Sequence, residues 1–335
     1  NNLKDGKIEF NGNTKKASHH EYQKYKKDIG NNTILLSING TLGNIALYNN
    51  EKCILGKSVC YLNVKKNTDK TFIRYVLTDN KFQSYIDNVA HGTTIKNVSL
   101  KTLREYTFLL PPLLEQKPIA SILSSLDDKI DLLYRQNKTL EALAETLFRQ
   151  WFVEEADESW KEGKLGDIVE LLYGKGLKDN IRTGNGYPVV GSSGIVGYHS
   201  EYLVKGPGIV IGRKGTLGKA IYLFENFFPI DTTYYVKSKT NTDTLLYEYF
   251  LLKTINFAEM NTDSAVPGLN RDMALSTEIL IPPYKIRGKF NEICSCLMKK
   301  MCYNDIQIGQ LEALRDSLLP KLMSGEVGVF GGNNE

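Results

Sequence analysis

No apolar run in this sequence approaches the ~20 residues of a membrane-spanning helix, and nothing at its N-terminal end reads as a secretory signal. A cytoplasmic location with no membrane partner is the expectation. The cysteines Cys53, Cys60, Cys294, Cys296 and Cys302 form no Cys-x-x-Cys pair and have no flanking histidines, so they are read as reduced thiols rather than a zinc site. Histidine is scarce: adjacent His19 and His20, then lone His91 and His199, supply no ligand set. A phosphate loop is also missing. Five residues rather than four separate Gly212 from Gly218, and Ala220 replaces the magnesium-binding hydroxyl. Ile281-Pro282-Pro283-Tyr284 has the prolines of an amino-methyltransferase motif, but Ile281 cannot accept a hydrogen bond from a target amine. With no glycine-rich methyltransferase loop, no HExxH and no nuclease-type carboxylate-lysine set, the sequence offers no active site and no metal site.

What it does contain is a long amphipathic helix, predicted over residues 115–152. Leu126, Ile130, Leu133, Asn137, Leu140, Ala144, Leu147 and Trp151 recur at alternating steps of four and three, the spacing of a helix packed lengthwise on another. Ile119 and Ile122 extend the stripe, and Pro118 is expected in the first turn, where its missing N–H costs nothing. Such a helix is roughly 50 Å long, so it needs a partner of similar length. Asn137 in the stripe is read as a register device, because a buried amide must find a partner.

The partner is a second copy 171 residues on: Leu126 maps to Leu297, Ile130 to Met301, Asn137 to Ile308, Leu140 to Leu311, Leu147 to Leu318 and Trp151 to Leu322. Leu140-Glu141-Ala142-Leu143 returns as Leu311-Glu312-Ala313-Leu314, and Leu109-Leu110-Pro111-Pro112 as Leu280-Ile281-Pro282-Pro283. Upstream, Gly40-Thr41-Leu42-Gly43 matches Gly215-Thr216-Leu217-Gly218. A period this long is a domain duplication and not a solenoid. The expected organisation is a first globular domain over 1–114, a long helix over 115–155, a second domain over 156–284, a second long helix over 285–328 and a tail over 329–335. Trp160 opens the second unit 55 residues before Gly215, whereas 39 residues precede Gly40. Repeat symmetry therefore predicts that at least roughly 15 residues of the first unit are missing at its N-terminal side.

Charge is divided unevenly. Residues 1–114 carry 17 Lys and Arg against 9 Asp and Glu, the pattern of a polyanion binder. Residues 156–284 carry 13 against 15, so nucleic-acid contact there must come from local clusters. Lys15-Lys16, His19-His20 and Lys24 to Lys27, interleaved with Tyr22 and Tyr25, form either a solvated face or a DNA-facing loop. Strands are expected over 33–38, 44–48 and 56–64, and a single helix over 71–89, followed by the polar loop 91–97. The second unit repeats this order with strand 168–173, a hairpin over 187–198, a hairpin over 208–224, a helix over 245–257 and the loop 264–271.

Two variable units, each followed by a long helix with an LEAL-type stripe, resemble the specificity subunit of type I restriction–modification enzymes. The repeated Gly-Thr-Leu-Gly hairpin, the Leu-Pro-Pro lead-ins and the Trp160…Leu165-Gly166-Asp167 start carry the resemblance over essentially the whole chain. It implies an α+β fold: two target-recognition domains of mixed strands and helices, separated by two long helices pairing as an antiparallel coiled coil. It also implies a non-catalytic subunit that reads a split double-stranded DNA target. Its partners would be two methyltransferase subunits and a restriction/translocase subunit, with S-adenosylmethionine and ATP held by those partners and no cofactor here. On this reading Gly40, Thr41, Lys57, Arg213, Lys214, Gly215 and Thr216 contact phosphates, partly through the amides of the glycine turns. Lys15, Lys16, His19, His20, Lys175, Lys178, Ser192, Ser193, Tyr198 and His199, in segments that differ between the copies, are the candidate base readers. Ordinary exposed loop side chains are the alternative for each. A coiled-coil scaffold presenting two protein-binding modules is the competing function.

Overall fold

The two long periodicities fold as helices of 37 and 41 residues, Leu113–Arg149 and Tyr284–Ser324, in the computed structural model of the chain. It describes residues 2–4, 6–92, 95–182, 184–240, 244–260 and 268–329. Residues 93–94 of the first polar loop, 264–267 of its counterpart and 330–335 of the tail lie outside the described residues. The architecture is α+β, as the sequence predicts, in two units: Asn1–Leu132 with Gln307–Glu335, and Leu133–Ile306. The division runs through both long helices, so each unit owns a globular part and a stretch of each helix.

In the first unit Thr33–Ser37, buried throughout, is the central strand of an antiparallel sheet between Ile45–Leu47 and Val59–Asn63. The helix expected over 71–89 is two helices, Lys70–Thr78 and Asn80–Val89, broken at Asp79 in an extended conformation. The break lets one apolar sequence serve two cores. Leu77, Phe82 and Ile86 pack with Ile34, Leu36 and Ile45 of the sheet. Phe72, Tyr75 and Val76 instead pack with Ile119, Ala120 and Leu123 of the first long helix and Leu319 and Leu322 of the second. The Gln83 side chain donates to the Leu77 carbonyl at 2.7 Å, satisfying an acceptor left open by the break. Early residues of one long helix meet late residues of the other, so the pairing within this unit is antiparallel. Asp127 ties the three helices together: it accepts from Arg74 at 2.8 Å, from the Tyr75 hydroxyl at 2.7 Å and from Arg315 at 3.1 Å.

The second unit has a four-stranded antiparallel sheet in the order Ala220–Leu223, Gly208–Gly212, Thr233–Ser238, Val169–Tyr173. A second sheet pairs Tyr187–Gly191 with Gly194–His199 and, in parallel, with Phe228–Pro229. The helix Leu246–Thr254 is buried over Leu246 to Leu252, which explains its lack of an amphipathic pattern. It packs Tyr247 and Phe250 on Phe148 and Phe152 of the first long helix and on Phe290 of the second. Lys253 joins the Glu141 and Glu145 carboxylates. Burial works against the charge of Lys253, yet the two carboxylates hold it above the usual lysine range. On the second long helix, the Asn291 side chain accepts from the Tyr247 amide at 2.8 Å. Asn137 donates to Asp305 at 2.7 Å and accepts from the fully buried Asn304 at 2.8 Å.

Several sequence expectations are corrected. Pro118 lies in the second turn, because the helix begins at Leu113; the carbonyl that loses its partner is that of Leu114, a residue left to solvent. Ile122 is exposed, since Ile119, Ala120 and Leu123 face the core instead. Within the predicted stripe Ile130, Leu133, Ile308 and Leu322 are buried, while Leu126, Asn137, Leu140, Leu147, Trp151, Leu297, Met301, Leu311 and Leu318 are half-buried. Toward its C-terminal end the deepest positions become Ala144, Phe148 and Phe152, at steps of four. A helix that packs on a globular part as well as on another helix needs a wider apolar face than a heptad seam. The π-helical turn Gln150–Glu154 closes this end. The segment before residue 33, read from sequence as a solvated face or a DNA-facing loop, contains the helix His19–Tyr25, capped by Ser18 with Glu21 closing the capping box.

Burial pushes the Cys60 thiol up to about 11 and the Cys294 thiol up to about 12. With a thiol-reactive probe at pH 8, exposed Cys296 is expected to label rapidly and both buried thiols only after unfolding, as mass spectrometry of digested protein would show. Asp127→Ala leaves Arg74 and Arg315 without their shared anion. Asp127 keeps 18% of its side-chain exposure, so the expected loss is about 2–3 kcal/mol in denaturant unfolding, below the ~3–5 of a fully buried pair.

Candidate nucleic-acid interface

The two glycine turns are built alike. In the first unit Gly40 and Gly43 take positive φ, 76° and 78°, which a tight reversal requires. The Gly43 amide donates to Ser37 O at 3.0 Å and the Gly40 amide to Lys96 O at 2.9 Å. In the second unit Gly215 and Gly218 have φ of 81° and 70°, and the Gly218 amide donates to Gly212 O at 2.8 Å. The sequence reading assigned phosphate contacts to the amides of these turns. The amides of Gly40, Gly43 and Gly218 are already donated within the chain, so these three are not open to a phosphate.

The side chains around the turns differ between the units. Around the first turn, Thr41 and Lys57 are exposed, and the Ser58 carbonyl accepts from the Ile38 amide at 2.8 Å, so Lys57 borders the turn. Lys96, on the loop that holds Gly40, pairs with Asp87 at 3.2 Å. Around the second turn the cations are denser. The Arg213 and Lys214 amides both donate to Thr232 O, at 2.9 and 3.1 Å. The Arg213 guanidinium lies over Tyr173 and Tyr234, 5.2 and 5.9 Å from the ring centroids, and donates to Asp231 O at 3.2 Å. Arg271 lies 5.5 Å from the Tyr173 centroid. Burial, with Tyr173 beside it, pushes the Tyr234 phenol up to about 12 against the pull of the two arginines.

The structure brings further predicted residues to this turn. Ser192 sits beside Gly212 and Gly215, within 3.2 Å of where a β-carbon on either would stand. Lys219 donates to Ser193 O at 2.8 Å. The Lys175 amide bonds Pro229 O at 3.0 Å, which lays its loop along the strand end that also holds Arg213. Lys214, Gly215, Thr216, Lys175, Lys178 and Tyr198 are exposed. His199 is half-buried, edge-on to Phe228 at 5.6 Å and with Nδ1 3.2 Å from Ile181 O. Lys15, Lys16, His19 and His20 are exposed on or just before a helix that buries none of its residues. Sequence reasoning missed Tyr173, Tyr234, Lys219 and Arg271 as site residues. Tyr173 and Tyr234 meet only through strand pairing across the sheet, which no local pattern announces. Among the described residues no group of three or more His, Cys, Asp or Glu side chains is placed to hold a metal.

A duplicated α+β unit, each copy carrying a glycine turn with a different set of side chains around it, defines a two-headed protein of variable loops on a common frame. The chain belongs to the type I restriction modification DNA specificity family, whose domain model matches it twice, over residues 1–142 and 157–301. This is the family that the duplicated hairpins and Leu-Pro-Pro lead-ins resemble. The MjaIX type I restriction enzyme specificity subunit of Methanocaldococcus jannaschii is 26% identical, over 89% of this chain and 78% of its own. A putative type I specificity subunit of Mycoplasma genitalium is 27% identical over 95% of this chain and 87% of its own. The crystal structure of a type I restriction-modification S subunit from M. genitalium matches with a TM-score of 0.60 at 25% identity, covering 87% of this chain and 83% of that one.

A β-carbon at Gly212 would stand 1.9 Å from Thr216 O, a backbone atom that cannot yield without opening the turn. Gly212→Ala is expected to destabilise the protein by more than about 1 kcal/mol in thermal or denaturant unfolding. Gly176→Ala, with open space around it, serves as the unperturbed control.

Proposed function

We propose that this chain is the DNA-reading subunit of a type I restriction–modification complex. Each globular part would read one half of a split target in double-stranded DNA, and the paired long helices would set the distance between the halves. The observation that carries this reading is the double family match, each copy covering a globular part and at least the first part of a long helix. Helix length supports the ruler: 37 residues span about 55 Å, enough to hold two readers the ~34–36 Å of a DNA turn apart. The helices would also dock two methyltransferase subunits, with a restriction/translocase subunit joining the assembly. Chemistry, with its S-adenosylmethionine and ATP, would belong to those partners, and this chain would contribute none. A cytoplasmic setting suits such a complex, and no helix among the described residues is long and apolar enough to cross a membrane.

The test is co-production of the full chain with the methyltransferase subunits encoded beside it, followed by sequencing of methylated sites in cells. The expected result is a motif of two fixed halves around an unspecified spacer, one half changing when either globular part is exchanged. A stable complex that leaves the methylation pattern unaltered would favour a scaffold for protein ligands instead.

A further inference from the structure

The two copies can be superposed bond by bond around their glycine turns, and this shows where they part. The Val98 amide donates to Ile38 O at 2.9 Å; in the second unit the Leu269 amide donates to Arg213 O at 2.9 Å. One residue on, Ser99 caps the short helix Leu100–Glu105, and Asn270 caps Arg271–Leu275. Arg213 therefore stands where the first copy has Ile38, and Arg271 where it has Leu100. On the neighbouring strand Cys60 pairs with Leu36 as Tyr234 pairs with Ile211, so Tyr234 stands where the first copy has Cys60. Two cations and an aromatic ring stand in place of three apolar side chains at one place in the fold, in the stretch 156–284, whose acidic residues outnumber its basic ones.

The geometry points to a phosphate grip peculiar to the second unit, formed by Arg213 and Arg271 on the Tyr173 ring. Both guanidinium groups lie within 5.5 Å of that ring's centroid, and Tyr173 keeps 52% of its surface exposed. Stacking fixes the plane of a guanidinium while its N–H edge stays open to an in-plane acceptor. Arg213 spends one donor on Asp231 O; among the described residues the carboxylate paired with Arg271 is that of Asp272, 3.5 Å from Nε and largely in solvent. Two cations held together with no carboxylate among the described residues bridging them suit a phosphate, whose oxygens accept from both forks, better than a single base edge. Lys175 and Lys214 on the adjoining loops extend the same positive rim. The grip gives the second unit a local electrostatic hold on DNA that its total charge does not supply.

The inference rests on the DNA-reading function proposed above, and one experiment separates the two. Salt-dependent binding of mixed-sequence duplex DNA is measured by fluorescence anisotropy, using the full chain co-produced with its methyltransferase subunits. The variants are Arg213→Ile and Arg271→Leu, the residues of the first copy, singly and together, with the double lysine variant beside them. Each single variant is expected to flatten the slope of log K against log salt by about 0.9, and the pair by about 1.8. If affinities converge near 1 M salt, the pair weakens binding about 60-fold at 0.1 M, with the methylated motif unchanged. The lysine variant keeps the charge and retains the slope, which separates loss of the grip from loss of the fold. Wild-type slopes in the arginine-to-aliphatic variants would overturn the grip, as would a loss confined to one base of the motif. A wild-type complex with no salt-dependent DNA binding would overturn the reading function itself.

Discussion

A long helix with an apolar stripe cannot leave that stripe in water, and neither globular part has a sheet large enough to bury its own helix. Both problems have one solution here. In the first unit the helix Lys70–Thr78 lays Phe72, Tyr75 and Val76 on both long helices. In the second unit Tyr247 and Phe250 do the same against Phe148, Phe152 and Phe290. Burying such side chains contributes about 1.5–3 kcal/mol each, so the docking of one helix per unit dominates the local energetics. Polar contacts then select the register. Asp127 receives three donors in one unit, and Lys253 bridges two carboxylates in the other.

Ile38 and Leu42 of the first turn also pack on their sheet's core, so the side chains that can differ most freely between copies are the exposed ones around the turns. The glycine turns keep the same backbone in both units because positive φ at Gly40, Gly43, Gly215 and Gly218 leaves little choice. Around that common backbone the first unit places Ile38 and Leu100, and the second Arg213 and Arg271. A frame held by apolar burial can thus exchange the side chains around its turns, a division of labour that suits the DNA-reading function proposed above.

Much of this was legible beforehand. The shift of 171 residues between the stripes, the paired Gly-Thr-Leu-Gly turns and the Leu-Pro-Pro lead-ins disclosed the duplication and its family. The strand 33–38 and the hairpin over 208–224 lie within a residue of the observed elements at most ends. The failures have a common cause. Residues 71–89 read as one amphipathic helix because periodicity records that a face is apolar, not which core it enters; Asp79 separates two faces bound for two cores. The stripe of the first long helix keeps Leu147 and Trp151 against the core but widens to take in Phe148 and Phe152, since an additional packing partner widens the buried face.

The sequence by itself determined the repeat, the two long helices, the turns and the uneven charge, since each is a local pattern or a count along the chain. Tertiary structure alone decided which of those charges act together. Tyr173, Arg213 and Arg271 are nearly a hundred residues apart at the extremes, and they meet because antiparallel strand pairing and a capped helix end converge on one corner of a sheet. Proximity of that kind depends on how apolar surfaces bury one another over the whole unit, a property no window of sequence contains.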